Sequence, residues 1–154
     1  MFWKYNTPST SQIDALLDKV DVGLVEVLEQ EDIIQECKNQ NKKLVDYLVN
    51  PDVLSELVGL IINEPSKEME ESTRFRLPHI AAEILSCEVP QINEKVSSDE
   101  NLLNKLYSFL EHEPPLNPLL SSFFSKAFGV LITRKSEQVQ ILISLFKSNR
   151  EYRL

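Results

Sequence analysis

Residues 117–135 read NPLLSSFFSKAFGVLITRK, and this stretch decides the fold. Leu119-Leu120, Phe123-Phe124, Ala127-Phe128 and Val130-Leu131 are apolar pairs recurring at helical spacing. A surface helix carries one apolar stripe, at i, i+3, i+4 and i+7. Pairs on every turn widen that stripe, so the expectation is a helix covered on more than one side, as in a layered stack. Asn117 and Pro118 open it. Asn can accept the first free amides, and Pro suits the first helical position, where an N–H has no partner anyway. Three serines and Lys126 interrupt the apolar residues, and no run of 18 exists anywhere in the chain, so no membrane span is expected.

Working outward, the rest of the chain is also helical in character. It has 154 residues, enough for one ordinary domain, with 42% hydrophobic residues and only 3 glycines. Residues 11–19 predict a helix capped by Thr10 or Ser11, with Ile13, Leu16 and Leu17 inward. Further helices are expected over 22–30 and 32–49. Asn50-Pro51 opens another, with the stripe Leu54, Leu57, Val58 and Ile61. Residues 63–73, NEPSKEMEEST, read as a flexible acidic loop. A helix follows Leu77-Pro78, with Ile80, Ala81, Ile84 and Leu85 inward, and 89–96 reads as a short helical turn. Ser98 or Asp99 opens the next, with Leu102, Leu103, Leu106, Phe109 and Leu110. Two prolines stop it within EHEPPL, 111–116. A last helix starts near Ser136, with Val139, Leu142, Ile143 and Phe146. The expected core is Leu44, Leu48, Leu57, Ile61, Leu106, Leu110, Leu119, Phe123, Leu131 and Leu142.

The chain also echoes itself. KLVDYL at 43–48 resembles KLYSFL at 105–110, and each is followed by an Asn-Pro helix start, at 50 and 117. Repeated helix pairs that bury both faces of an inner helix are the mark of armadillo and HEAT solenoids. The spacing exceeds one such unit, about 40–47 residues, so an extra helix at 77–87 must lie between the copies. The expected fold is therefore all-α, an armadillo/HEAT-like solenoid built as a right-handed stack of antiparallel helix pairs.

Charge and chemistry narrow the function. The net charge of −8 disfavours nucleic acid as a partner. Eight acids lie at 14–36 against Lys19 alone, and six bases lie from Lys126 onward against Glu137 and Glu151. Such runs are either solvated helix faces or patches that meet a partner of opposite charge. Cys37 and Cys87 are the only cysteines, neither sits in a CxxC pair, and no apolar leader follows Met1. A reducing, intracellular setting fits. Cys37 lies on the stripe with Ile33, Ile34, Leu44 and Leu48, where packing outweighs reactivity.

No catalytic or metal set is legible. His79 and His112 have no ligand partner at metal spacing. Glu68, Glu70 and Glu71 lack an apolar enclosure to shift a proton affinity. Ser121, Ser122 and Ser125 have no adjacent base. The expectation is a non-enzyme with no cofactor and no metal. Two features remain open to either a structural or a binding role. Trp3, with Phe2 and Tyr5, either tucks back onto the first helices or docks on a partner. Arg134-Lys135 either complements the dipole of the helix it ends or contacts an acidic surface.

Several blocks read together resemble a known family. MFWKYN at 1–6, EDIIQECKNQNKKL at 31–44, NLLNKLYSFLE at 101–111 and LNPLLSSFFSKAFGVLITRK at 116–135 look like the start of the SAPS-domain proteins. These are regulatory subunits of protein phosphatase 6, and the resemblance runs from Met1 to about Gln138. It implies an α-helical, armadillo-like domain that binds the catalytic subunit of a type 2A-like phosphatase and directs it to substrates. It further implies an ankyrin-repeat subunit as second partner, and a cytoplasmic or also nuclear location. Residues 1–154 would be one domain, the N-terminal portion of a SAPS-like helical-repeat domain. Family domains run several hundred residues, so the alternative is a truncated scaffold or competitor without phosphatase binding. Trp3, Asn117, Lys126, Arg134 and Lys135, on or beside the blocks of resemblance, are the candidate partner-binding residues.

Overall fold

A computed structural model describes residues 12–112 and 115–133. Among them every regular element is helical: α1 (Gln12–Leu17), α2 (Leu24–Leu28), α3 (Ile33–Lys38), α4 (Lys42–Leu48), α5 (Pro51–Ile62), α6 (Glu71–Arg74), α7 (Arg76–Ser86), α8 (Pro90–Ser98), α9 (Glu100–Tyr107) and α10 (Pro118–Thr133). A 3-10 turn, Ser108–Glu111, extends α9. The all-α class is as expected, and the layered packing fits a helical solenoid. No described helix is long and apolar enough to cross a membrane. The expected cap at Thr10 or Ser11, the helix from Ser136 and Leu142 lie outside the described residues.

Side-chain caps start four of these helices. Asn50 Oδ1 accepts from the Asp52 amide at 2.9 Å, and Asn117 Oδ1 accepts from Leu119 and Leu120 at 2.9 and 3.2 Å. Asp99 Oδ1 accepts from Asn101 and Leu102 at 2.9 and 3.2 Å, which resolves the choice between Ser98 and Asp99. Asn41 Oδ1 accepts from Leu44 at 3.2 Å. This last cap corrects the expectation of one helix over 32–49. The chain leaves α3 through Gln40, a non-glycine at φ 56°. The amides of Asn41 and Gln40 bond back to the Glu36 and Cys37 carbonyls, both at 3.0 Å. That is a Schellman closure with glutamine in the left-handed place usually held by glycine. The short turn expected at 89–96 is in fact a helix of 9 residues, begun by Pro90 at its first position.

The described elements share one apolar core. Its centre is α7, which packs most extensively on α10 and α5 and also meets α2, α3 and α6. Pro78, Ala81, Ala82, Ile84 and Leu85 of α7 are all buried. Lys105 pins α9 to α5, with Nζ donating to the Ser55 carbonyl at 2.6 Å and to its hydroxyl at 2.8 Å. Asn93 is buried among apolar side chains beside a cavity of about 10 Å³, and its Nδ2 has no partner among the described residues.

α10 differs from expectation in one respect. Leu120, Phe123, Phe124, Ala127, Phe128 and Leu131 are buried, a single broad stripe at i, i+3, i+4 and their repeats. Leu119, expected in the core, is 47% exposed, and Ser122, Ser125 and Lys126 share the open side. The paired pattern thus widened one face without producing a second. The helix covered on two sides is α7. Of the other expected core residues, Leu110 is partly buried and the remaining described ones are buried.

An aromatic row joins α9 to α10. Tyr107 meets Phe128 edge-on at 5.1 Å, Phe128 stacks on Phe124 at 5.3 Å, and Phe124 stacks on Phe109 at 5.2 Å. Such pairs add to area burial. Replacing Phe124 by Ala should therefore cost about 3–5 kcal/mol in urea denaturation. Leu119→Ala, on the open face, should stay within about 0.5 kcal/mol.

Candidate partner-binding surface

α10 begins at Asn117, whose amide makes a second set of contacts besides the cap. Nδ2 donates to Glu64 Oε1 at 3.1 Å. Glu64 lies 3.9 Å from the Arg74 guanidinium, which grips the Pro65 carbonyl through Nε and Nη2 at 3.1 and 2.9 Å. Arg74 also lies over the Phe75 ring, 4.9 Å from its centre. One chain of polar contacts therefore ties the exit of α5, the end of α6 and the start of α10. Within 63–73, the expected loop, the last residues are helical, since α6 begins at Glu71.

Nine residues after Asn117, Lys126 forms an ion pair with Glu83 across the α10–α7 joint. The hydrogen bond from Lys126 holds the Glu83 carboxyl below its ordinary value of 4.5, against the opposing effect of burial. The charges of Lys126 and Lys38 act in the same direction. Lys126 and Glu83 side chains are 48% and 26% exposed. Of the candidate contact residues, Asn117 is thus held in the cap network and Lys126 in this pair. Trp3, Arg134 and Lys135 lie outside the described residues. The structure does not bring Asn117 and Lys126 together into one cluster; they mark the start and the open side of the same helix.

Two further surfaces lie elsewhere, one not legible in the sequence and one already marked there by its run of acids. One is a groove of about 440 Å³ between α2, α5, α7 and the 63–70 segment, floored by Leu24, Leu60 and Leu77 and rimmed by Glu56, Glu64 and Arg74. Val25 and Met69 at its edge are 47% and 43% exposed. No sequence signal marks it, because its lining comes from four separate segments. The other is the acidic N-terminal region. There Asp14 and Glu36 accept from Asn41 Nδ2 at 2.9 and 2.8 Å, and Asp18 pairs with Lys43 at 2.6 Å. Asp21, Glu26, Glu29 and Glu31 are exposed. Among the described residues no group of three or more His, Cys, Asp or Glu could hold a metal ion.

Glu83 provides a pH test of the α7–α10 joint. Its carboxyl is depressed in the folded chain, so its contribution is present above 4.5 and is lost as pH falls through the native value. The stability gap between the native chain and Glu83→Gln should be constant near neutrality, at most about 1 kcal/mol for so exposed a pair. It should shrink steadily once the pH drops below 4.5. A gap independent of pH in thermal melts would show that the ion pair does not act.

No family model and no solved structure matches the chain. The mouse serine/threonine-protein phosphatase 6 regulatory subunit 2 is 55% identical over 139 residues, 90% of this chain and 15% of the relative. The mouse regulatory subunit 1 is 45% identical over 152 residues, 99% of this chain and 17% of the relative, so similarity continues past Gln138. The extragenic suppressor of kinetochore protein 1 of Schizosaccharomyces pombe is 38% identical over 156 residues, 93% of this chain and 19% of the relative. The chain thus spans about a sixth of the length of these curated relatives. Over most of its own length, this chain is a homologue of the SAPS-family proteins named as regulatory subunits of protein phosphatase 6.

Proposed function

We propose that the chain is part of a non-catalytic regulatory subunit that binds the catalytic subunit of protein phosphatase 6, a type 2A-like serine/threonine phosphatase. The carrying observation is the 55% identity over 139 residues to a protein named for that role. On the same reading, residues 1–154 are one domain, the N-terminal portion of a SAPS-like repeat domain. An ankyrin-repeat subunit is the second partner, and the cytoplasm, with the nucleus, is the location.

A helical stack spends its inner faces on the core, so ridges and loops are left to meet a partner. We assign the contact to the open side of α10. Leu119 supplies exposed apolar area there, and Lys126 a half-exposed cation. Arg134 and Lys135 follow α10 in sequence and extend its positive charge. Asn117 acts by fixing where the helix starts, and Trp3 is an additional anchor. The acidic loop 63–73 is mobile on this reading at its tip, and trypsin should cut after Lys67 before it cuts within any helix.

The direct test is capture of purified phosphatase 6 catalytic subunit by the tagged chain. The native chain should retain the phosphatase. Arg134→Glu/Lys135→Glu should lower the affinity about tenfold or more, the equivalent of about 1.4 kcal/mol. Equal capture by both would remove the basic pair from the contact. No capture by the native chain, where a longer family member succeeds, would sink the reading for this chain.

A further inference from the structure

Cys37 and Cys87 stand 50 residues apart in the chain, yet their Sγ atoms lie 3.3 Å apart in the fold. Both are free thiols. Cys37 is fully buried within α3, and Cys87 is partly exposed at the C-terminal cap of α7. These two helices pack directly on each other. A disulfide requires about 2.05 Å between sulfurs, so closing the pair takes a movement of roughly 1.2 Å. The chain can supply it at Cys87, where α7 ends and Glu88 turns away at φ 61°. In the reduced chain Cys87 Sγ also donates to the Ile84 carbonyl at 3.0 Å, at the end of α7.

We propose that Cys37 and Cys87 form a reversible intramolecular disulfide when the protein meets a peroxide, clasping α3 to the end of α7. This inference does not rest on the phosphatase reading. The exposed member reacts first. Its hydrogen bond from Cys37 favours the Cys87 thiolate against burial, aided by the backbone amides of Val89 and Cys87 and by the Lys38 charge. The same contact, with burial, keeps Cys37 protonated. Exposure divides the roles: Cys87, which solvent reaches, is the attacking sulfur, and buried Cys37 the resolving one.

The steps balance. The Cys87 thiolate attacks one peroxide oxygen; the S–O bond forms, the O–O bond breaks, and the departing hydroxide takes the thiol's proton as water. Cys87 is now a sulfenic acid. The Cys37 sulfur attacks it; the S–S bond forms, the S–O bond breaks, and the Cys37 proton leaves with that oxygen as a second water. Two thiols have lost two electrons to one peroxide. A dithiol reductant reverses the bond by exchange and is itself oxidised. The closed loop contains α4, α5, α6 and all of α7, so it restrains the unfolded chain considerably.

The test treats the purified chain with hydrogen peroxide, then alkylates remaining thiols after denaturation. The expected product is monomeric, lighter by two hydrogen atoms, and unlabelled at both cysteines. Peptide mapping without reductant should join the Cys37 and Cys87 peptides, and dithiothreitol should separate them. The oxidised chain should keep its far-ultraviolet helix signal and melt roughly 10 °C higher. Cys37→Ala, which keeps the buried site apolar, should leave a sulfenic acid at Cys87 that dimedone captures. Two outcomes overturn the proposal: a Cys37 thiol still open to alkylation while Cys87 is over-oxidised, or a disulfide formed mainly between chains.

Discussion

The burial of α7 between α10 on one side and α5 with α3 on the other is the constraint from which the remaining structure follows. Ala81 and Ala82 lie side by side on this helix, both fully buried. Interaxial distance depends on the side chains at the contact, and small ones let helices approach closely. Larger residues, Ile84 and Leu85, fill the flanks. α7 keeps few exposed positions, among them Arg76 and His79, so it cannot be stable alone. Of its neighbours, α2, α3 and α6 are shorter still, with 5, 6 and 4 residues, and depend on packing in the same way.

Short helices make termini numerous, and each terminus leaves unpaired amides and carbonyls. The chain answers with Asn41, Asn50, Asp99 and Asn117 as caps, and with the closure at Gln40. Asn117 carries more than a cap, because its Nδ2 reaches Glu64 and so the network of Arg74 and Pro65. The first turn of α10 is fixed to the exit of α5 by these contacts, and by apolar packing for the rest of its length. The result is a helix whose buried stripe is anchored at one end and whose open side, from Leu119 to Lys126, is presented in a defined orientation. A contact of the kind proposed for this face would lose little ordering entropy on association.

The two cysteines occupy the other joint of α7. Their position links an element of the acidic N-terminal region to the central helix at a place where the backbone leaves regular structure. A thiol pair at such a joint is compatible with close packing in the reduced state, since sulfur behaves there as a small apolar group.

The all-α class, most helix starts and most of the core were legible from residue order, because caps and apolar periodicity are local. Asn50-Pro51 and Asn117-Pro118 signal helix starts through their own side chains and φ, whatever surrounds them. Leu44, Leu48, Leu57, Ile61, Leu106, Phe123 and Leu131 follow from periodicity in the same way. Relatedness to the phosphatase 6 regulatory subunits was also legible, because it resides in ordered blocks of residues. Tertiary structure alone decided the rest. Leu119 and Leu120 look equivalent in the sequence, and only the packing of α10 on α7 and α5 decides which is buried. The break at Gln40 lacks the glycine that would announce it. The groove lined by Leu24, Leu60, Met69 and Leu77, the Lys126–Glu83 pair and the meeting of Cys37 with Cys87 all join residues far apart in the chain. No local pattern encodes such distances; they arise from how the helices pack.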